Sequence, residues 1–121
     1  MIAVSPQMKI LVACAPIDFR CGIDRLSQMC QSVLETDPFC GAVFVFRNRK
    51  ATSIKVLVYD GQGFWLMQKR LSSGRFRHWP TKGGRCKRQL LWYELSVLLS
   101  GGDPDRAKAA PQWRRITEEA A

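Results

Sequence analysis

Residues 54–71, IKVLVYDGQGFWLMQKRL, constrain this chain more than any other stretch. Two runs rich in β-branched and aromatic residues flank Asp60-Gly61-Gln62-Gly63. Asp-Gly accepts the positive φ angles of a tight turn, so the segment predicts a β-hairpin. The rest of the chain is read around it. Residues 8–14, MKILVAC, form a short apolar run ended by Pro16 and predict a strand. Ile23, Leu26, Met29, Cys30, Val33 and Leu34 recur at spacings of three and four, which predicts an amphipathic helix over about residues 22–35. Asp18 or Asp24 suits its start, and Pro38 its end. Residues 41–48, GAVFVFRN, predict a second strand, followed by a polar connector.

Beyond the hairpin, Ser72-Ser73-Gly74 reads as a turn, and Phe76 and Trp79 as part of another short strand. Residues 81–87 have loop composition. Residues 88–102 predict a second helix with Leu90, Leu91, Leu95, Leu98 and Leu99 on its apolar face and glycines at its end. From Asp103 the chain holds few large apolar residues, which predicts one domain over residues 1–102 and a flexible tail over 103–121. The expected fold is α+β: a small, mainly antiparallel sheet of four to five strands, with two helices on one face or at one end of it.

Charge is distributed unevenly. Residues 47–88 hold twelve basic residues against a single acid, Asp60, and carry the whole excess behind the formal net charge of +9. A regional basic field is the footprint of a protein that meets a polyanion. An acidic protein partner or an anionic membrane surface would also satisfy it. In GRFRHWP, residues 74–80, arginines and aromatics interleave, and strand alternation would put Arg75, Arg77 and Trp79 on one face. Arginine and lysine contact phosphates, and aromatics stack on bases. The candidate nucleic-acid-binding residues are therefore Arg47, Arg49, Lys50, Lys69, Arg70, Arg75, Arg77 and Trp79. A solvated basic edge with Phe76 or Trp79 in the core is the competing reading.

The sequence offers little to catalysis. His78 is the single histidine, with no serine or cysteine partner near it in sequence. The five cysteines form no CxxC pair, so metal-ligand spacing is absent and free, mostly buried thiols are expected. Cys21 and Cys86 lie beside basic residues and are the candidates for a reactive thiol. The glycines match no phosphate-binding loop. No enzyme activity, metal or cofactor is expected. No apolar run approaches the roughly 18 residues of a membrane span, and the N-terminus lacks the pattern of a secretory signal, so a cytoplasmic protein is expected.

Four segments, in order, carry a resemblance: DFRCGIDRL at 18–26, DPFCGAVFVFRNRK at 37–50, IKVLVYDGQGFWLMQKRL at 54–71 and GRFRHWP at 74–80. Together they resemble the accessory proteins, called TnpB, of the sixty-six family of bacterial insertion sequences, which are unrelated to the RNA-guided nucleases of the same name. The resemblance covers about residues 8–101. It implies a non-catalytic, DNA-binding accessory role in transposition beside a separate transposase that holds the catalytic acids. The expected partners are element-end or non-specific DNA and that transposase, with self-association also compatible. The alternative is an interaction module that grips the transposase or another accessory protein without touching DNA.

Overall fold

The computed structural model describes residues 8–81 and 86–107. In chain order the elements are β1 (Ile10–Ala13), α1 (Ile23–Ser32), β2 (Val43–Arg47), β3 (Ser53–Tyr59), β4 (Phe64–Arg70), β5 (Lys87–Leu90) and α2 (Trp92–Leu99), then a single 3-10 turn at Pro104–Arg106. The five strands form one sheet in the order β4-β3-β2-β1-β5. Only β1 and β2 are parallel; the other neighbours are antiparallel. The mainly antiparallel α+β expectation holds.

The two helices do not share a face. Ile10, Val12, Val43, Val45, Ile54, Val56 and Val58 pack with Leu95 and Leu98 of α2. Leu11, Ala13, Phe44, Phe46 and Leu57 pack with Leu26 and Cys30 of α1. The cause lies in β1 and in β2 up to Phe46, which are apolar at consecutive positions rather than at alternate ones. Such strands bury both faces, and each face needs its own cover. An edge strand is under no such demand: β4 buries no residue fully.

β5 and α2 divide what reads in the sequence as one helix. Lys87–Leu90 pairs along β1, from Ala13↔Lys87 to Ile10↔Leu90, and α2 begins two residues later. The Leu91 N–H donates to the Glu94 carboxylate at 2.7 Å, which fixes that start. At the far end Gly101 adopts φ +85°, and Gly102 N–H closes on the Val97 carbonyl at 2.8 Å. α1 starts without a side-chain cap at Gly22, with Asp24 in its first turn. It stops where Glu35 takes φ +51° and Thr36 N–H returns to the Cys30 carbonyl.

The predicted strand around Phe76 is instead an irregular segment laid over the α2 side of the sheet. Its backbone is tied by Phe76 N–H to the Ala51 carbonyl at 2.7 Å. Phe76 and Trp79 are both buried in the core, while Arg75, Arg77 and His78 face solvent. The helix α2 has only eight residues, and the two rings extend its cover across the sheet. Trp79 also donates Nε1–H to the Ala13 carbonyl at 2.9 Å.

The expected tail boundary falls in an ordered stretch. Pro104 is buried, Asp105 receives a hydrogen bond from Arg88, and the 3-10 turn packs on α2. Most of the tail expectation, residues 108–121, lies outside the described residues.

Truncating Trp79 to alanine removes a core ring and leaves a carbonyl without its donor, so it should cost about 3–5 kcal/mol in urea unfolding. Arg75→Ala and Arg77→Ala, one and two residues from the same core, should each stay within about 0.5 kcal/mol.

Candidate nucleic-acid interface

One end of the sheet gathers the charge. The register sets Arg47 opposite Ile54, and Ile54 opposite Lys69, so the end of β2, the start of β3 and the end of β4 coincide. The same end receives the start of β5 at Lys87, opposite Ala13. Between β2 and β3 lies a loop, residues 48–52, organised by Asn48. Its Oδ1 accepts from Thr52 N–H and Ser53 N–H, and its Nδ2 donates to Thr52 Oγ1, all within 3.1 Å. Arg49 and Lys50 stand exposed on this loop. Leu71 and Phe76 bond to the carbonyls of Thr52 and Ala51, which brings Arg70, Arg75 and Arg77 beside the same loop.

The expected convergence of basic residues is thus present, but its members differ in what they do. Arg49, Lys50, Arg70, Arg75 and Arg77 are exposed. Lys69 donates Nζ–H to the Leu99 carbonyl at 2.6 Å and so caps the C-terminus of α2. Arg47 is half-buried, with its guanidinium carbon 5.7 Å from the Trp79 ring centre. Burial lowers its pKa from the ordinary arginine value, and its Nε is buried with no hydrogen-bond partner among the described residues. Trp79 faces the core and leaves little ring surface for a base.

Sequence reasoning missed the second wall of this end. Ile17 joins the end of β2 by a bridge to Asn48, with Ile17 N–H on the Arg47 carbonyl at 2.9 Å. The turn that follows lays Asp18, Phe19 and Arg20 beside Arg49 and Lys50, across an open cleft of about 550 Å³. Asp18 is therefore an acid among the cations of this end, one that lies outside the basic region of the sequence. Arg20 engages it through Nε, Nη2 and backbone N–H, at 2.8–3.2 Å. Those bonds, the side-chain ones foremost, take the Asp18 pKa from an ordinary 3.8 down to about 2.

What holds this wall is a lysine. Lys55 is 7% exposed and points from β3 toward α1. Its Nζ donates to the Phe19 carbonyl at 2.9 Å and the Cys21 carbonyl at 3.0 Å, and lies 4.9 Å from the Phe19 ring centre. Lys87 serves α1 in the same way, donating to the Leu34 carbonyl and Thr36 Oγ1 near the helix C-terminus.

The remaining candidates fall outside this surface or beside it. His78 Nδ1 lies 3.8 Å from Asp103 Oδ2. Cys14 and Cys30 are buried, and burial pushes the Cys30 thiol up to about 12. Cys21 is half-buried, and Cys40 and Cys86 are exposed, so fewer thiols are buried than expected. Among the described residues no three histidine, cysteine, aspartate or glutamate side chains gather as a metal site, and no helix is long and apolar enough to cross a membrane.

Replacing Lys55 by methionine keeps the bulk and removes the donor from two carbonyls, so it should cost about 1–3 kcal/mol in urea unfolding. An NMR titration of the Asp18 carboxyl should give a midpoint of about 2, rising toward 3.8 in Arg20→Ala. Because the folded pKa is the lower one, the stabilisation from this pair is complete above about pH 4 and is lost as pH falls through about 2.

Comparison with known proteins points in one direction. The family model described as "IS66 Orf2 like protein" matches residues 8–109. Two proteins of Sinorhizobium fredii are similar along nearly their whole length. "Uncharacterized protein y4jC" is 38% identical over 111 residues, covering 92% of this chain and 93% of the relative. "Uncharacterized protein y4hO" is 39% identical over 104 residues, covering 85% and 88%. No solved structure matches the chain.

Proposed function

The chain belongs to the IS66 Orf2-like family, and from that premise we propose that it is a non-catalytic, DNA-binding accessory protein of a bacterial insertion sequence, working with a separate transposase. The family places it with the transposition machinery. The observation that carries the DNA part is the sheet end where Arg49, Lys50, Arg70, Arg75 and Arg77 stand exposed around one loop. Across the cleft Arg20 is exposed as well, with its charge already met by Asp18. Such a surface neutralises phosphates and carries little sequence information by itself.

A second reading is favoured by the opposite end of the sheet. Phe39 is 54% exposed and stacks with Tyr59 and Phe64, and Trp65, Leu91 and Trp92 are also exposed there. Exposed apolar groups of this kind suit a protein partner. Under that reading the chain grips the transposase or another accessory protein, and its charge only solvates it.

Titrating DNA at several salt concentrations separates the two. Five neutralised phosphates should give a slope of log K against log salt of about −4.5. The quadruple variant Arg49→Glu, Lys50→Glu, Arg70→Glu, Arg75→Glu should lose DNA binding and keep its unfolding midpoint, since exposed charges contribute little to stability. A folded quadruple variant that binds as before, or a flat salt response, sinks the DNA reading and leaves the interaction module.

A further inference from the structure

The cleft beside the basic surface is chemically unlike the rest of it. Phosphates ask only for cations and N–H donors, which an open surface supplies. The cleft between residues 17–20 and 48–50 supplies more. Phe19 gives one wall an aromatic ring, held from the core side by Lys55. Arg20, Arg49 and Lys50 surround it with positive charge, and Ile17 adds an apolar contact. Asp18 spends its carboxylate on Arg20, whose Nε, Nη2 and backbone N–H it receives, and so fixes that guanidinium at the rim of the cleft. At about 550 Å³ the space matches one small ligand rather than a duplex. A ring to stack on and cations for a phosphate are together the complement of a single nucleotide.

We propose that this cleft receives one unpaired nucleotide of the bound DNA, its base against Phe19 and its phosphates at Arg20, Arg49 and Lys50. The inference rests on the DNA-binding reading above and deepens it, because a fully paired duplex has no base to offer the cleft. A base that leaves the stack loses its neighbours, and an aromatic wall returns part of that loss. The protein would then favour DNA that is bulged, nicked or frayed over DNA that is intact.

The test is fluorescence anisotropy of the full chain on three duplexes of one sequence: fully paired, with a single-adenine bulge, and with an abasic bulge. Stacking of one base predicts about tenfold tighter binding of the adenine bulge than of paired DNA. A bulge also makes DNA easier to bend, and the abasic bulge shares that property without a base. It should therefore bind like paired DNA. Phe19→Ala should bring the adenine-bulge ratio close to one, and Phe19→Tyr should keep it. Phe19 is partly buried, so Arg20→Ala, at a side chain 92% exposed, provides a variant that folds regardless. It too should reduce the ratio. Equal affinity for paired and bulged DNA, or a preference that survives in the abasic bulge, overturns the cleft proposal and leaves DNA binding standing. Failure to bind any of the three overturns both.

Discussion

A buried lysine with no ion-pair partner among the described residues sets the shape of the basic end. Lys55 sits on β3 with its side chain under the turn at residues 18–21, and it satisfies its ammonium with two backbone carbonyls and one aromatic ring. Burying a charge is costly unless its donors are used. Here they are used on the segment that links β1 to α1. The arrangement ties three things together: where α1 begins, where Phe19 and Arg20 point, and how wide the cleft opens toward Arg49. Remove the ammonium and the turn has no other link to β3 in its place among the described hydrogen bonds.

The basic residues divide by chemistry. Lysines at positions 55, 69 and 87 are spent on the fold, each on backbone carbonyls at a turn or a helix C-terminus, with Lys55 buried, Lys87 half-buried and Lys69 exposed. A compact ammonium on a flexible stem suits that work. The arginines at 20, 49, 70, 75 and 77 stay in solvent. Arg47 and Arg88 are intermediate, one over Trp79 and one on Asp105. A count of charges along the sequence treats all of these alike. Only a smaller, arginine-rich subset is presented to a partner.

Much of this was legible in the residues. The hairpin at 54–71 followed from Asp60-Gly61, and its register placed Lys69 and Arg70 beside the β2–β3 loop, as strand pairing demands. The fold class followed from the order of the periodic segments. Three features were not legible. Lys87–Leu90 continues without a break into a helical pattern, and four residues are too few for period two to compete with it; pairing with β1 decides the matter. Trp79, among arginines and a histidine, reads equally as a surface aromatic or as a core ring, and the choice was set by the α2 side of the sheet, which needed more cover than eight helical residues provide. The second wall of the cleft was hidden because Asp18 and Arg20 lie outside the basic region, and the parallel bridge that brings them near joins the preceding Ile17 to Asn48, far along the chain. The unbroken apolar runs in β1 and β2 did hold a signal for two covered faces.

The position of β1 has a consequence for how the molecule is made. This strand is synthesised before the other four described strands, yet its antiparallel neighbour β5 is the last of them to leave the ribosome. The β3–β4 hairpin can close locally as soon as it emerges, and β2 adds to it. β1 has only one of its two neighbours until the chain past Leu90 is free, and until then it shows an unpaired edge. Long-range closure of this kind slows the final step of folding and lengthens the time during which a growing chain can pair wrongly with another. The basic residues that crowd residues 47–88 are synthesised during that interval, and their mutual repulsion keeps neighbouring nascent chains apart.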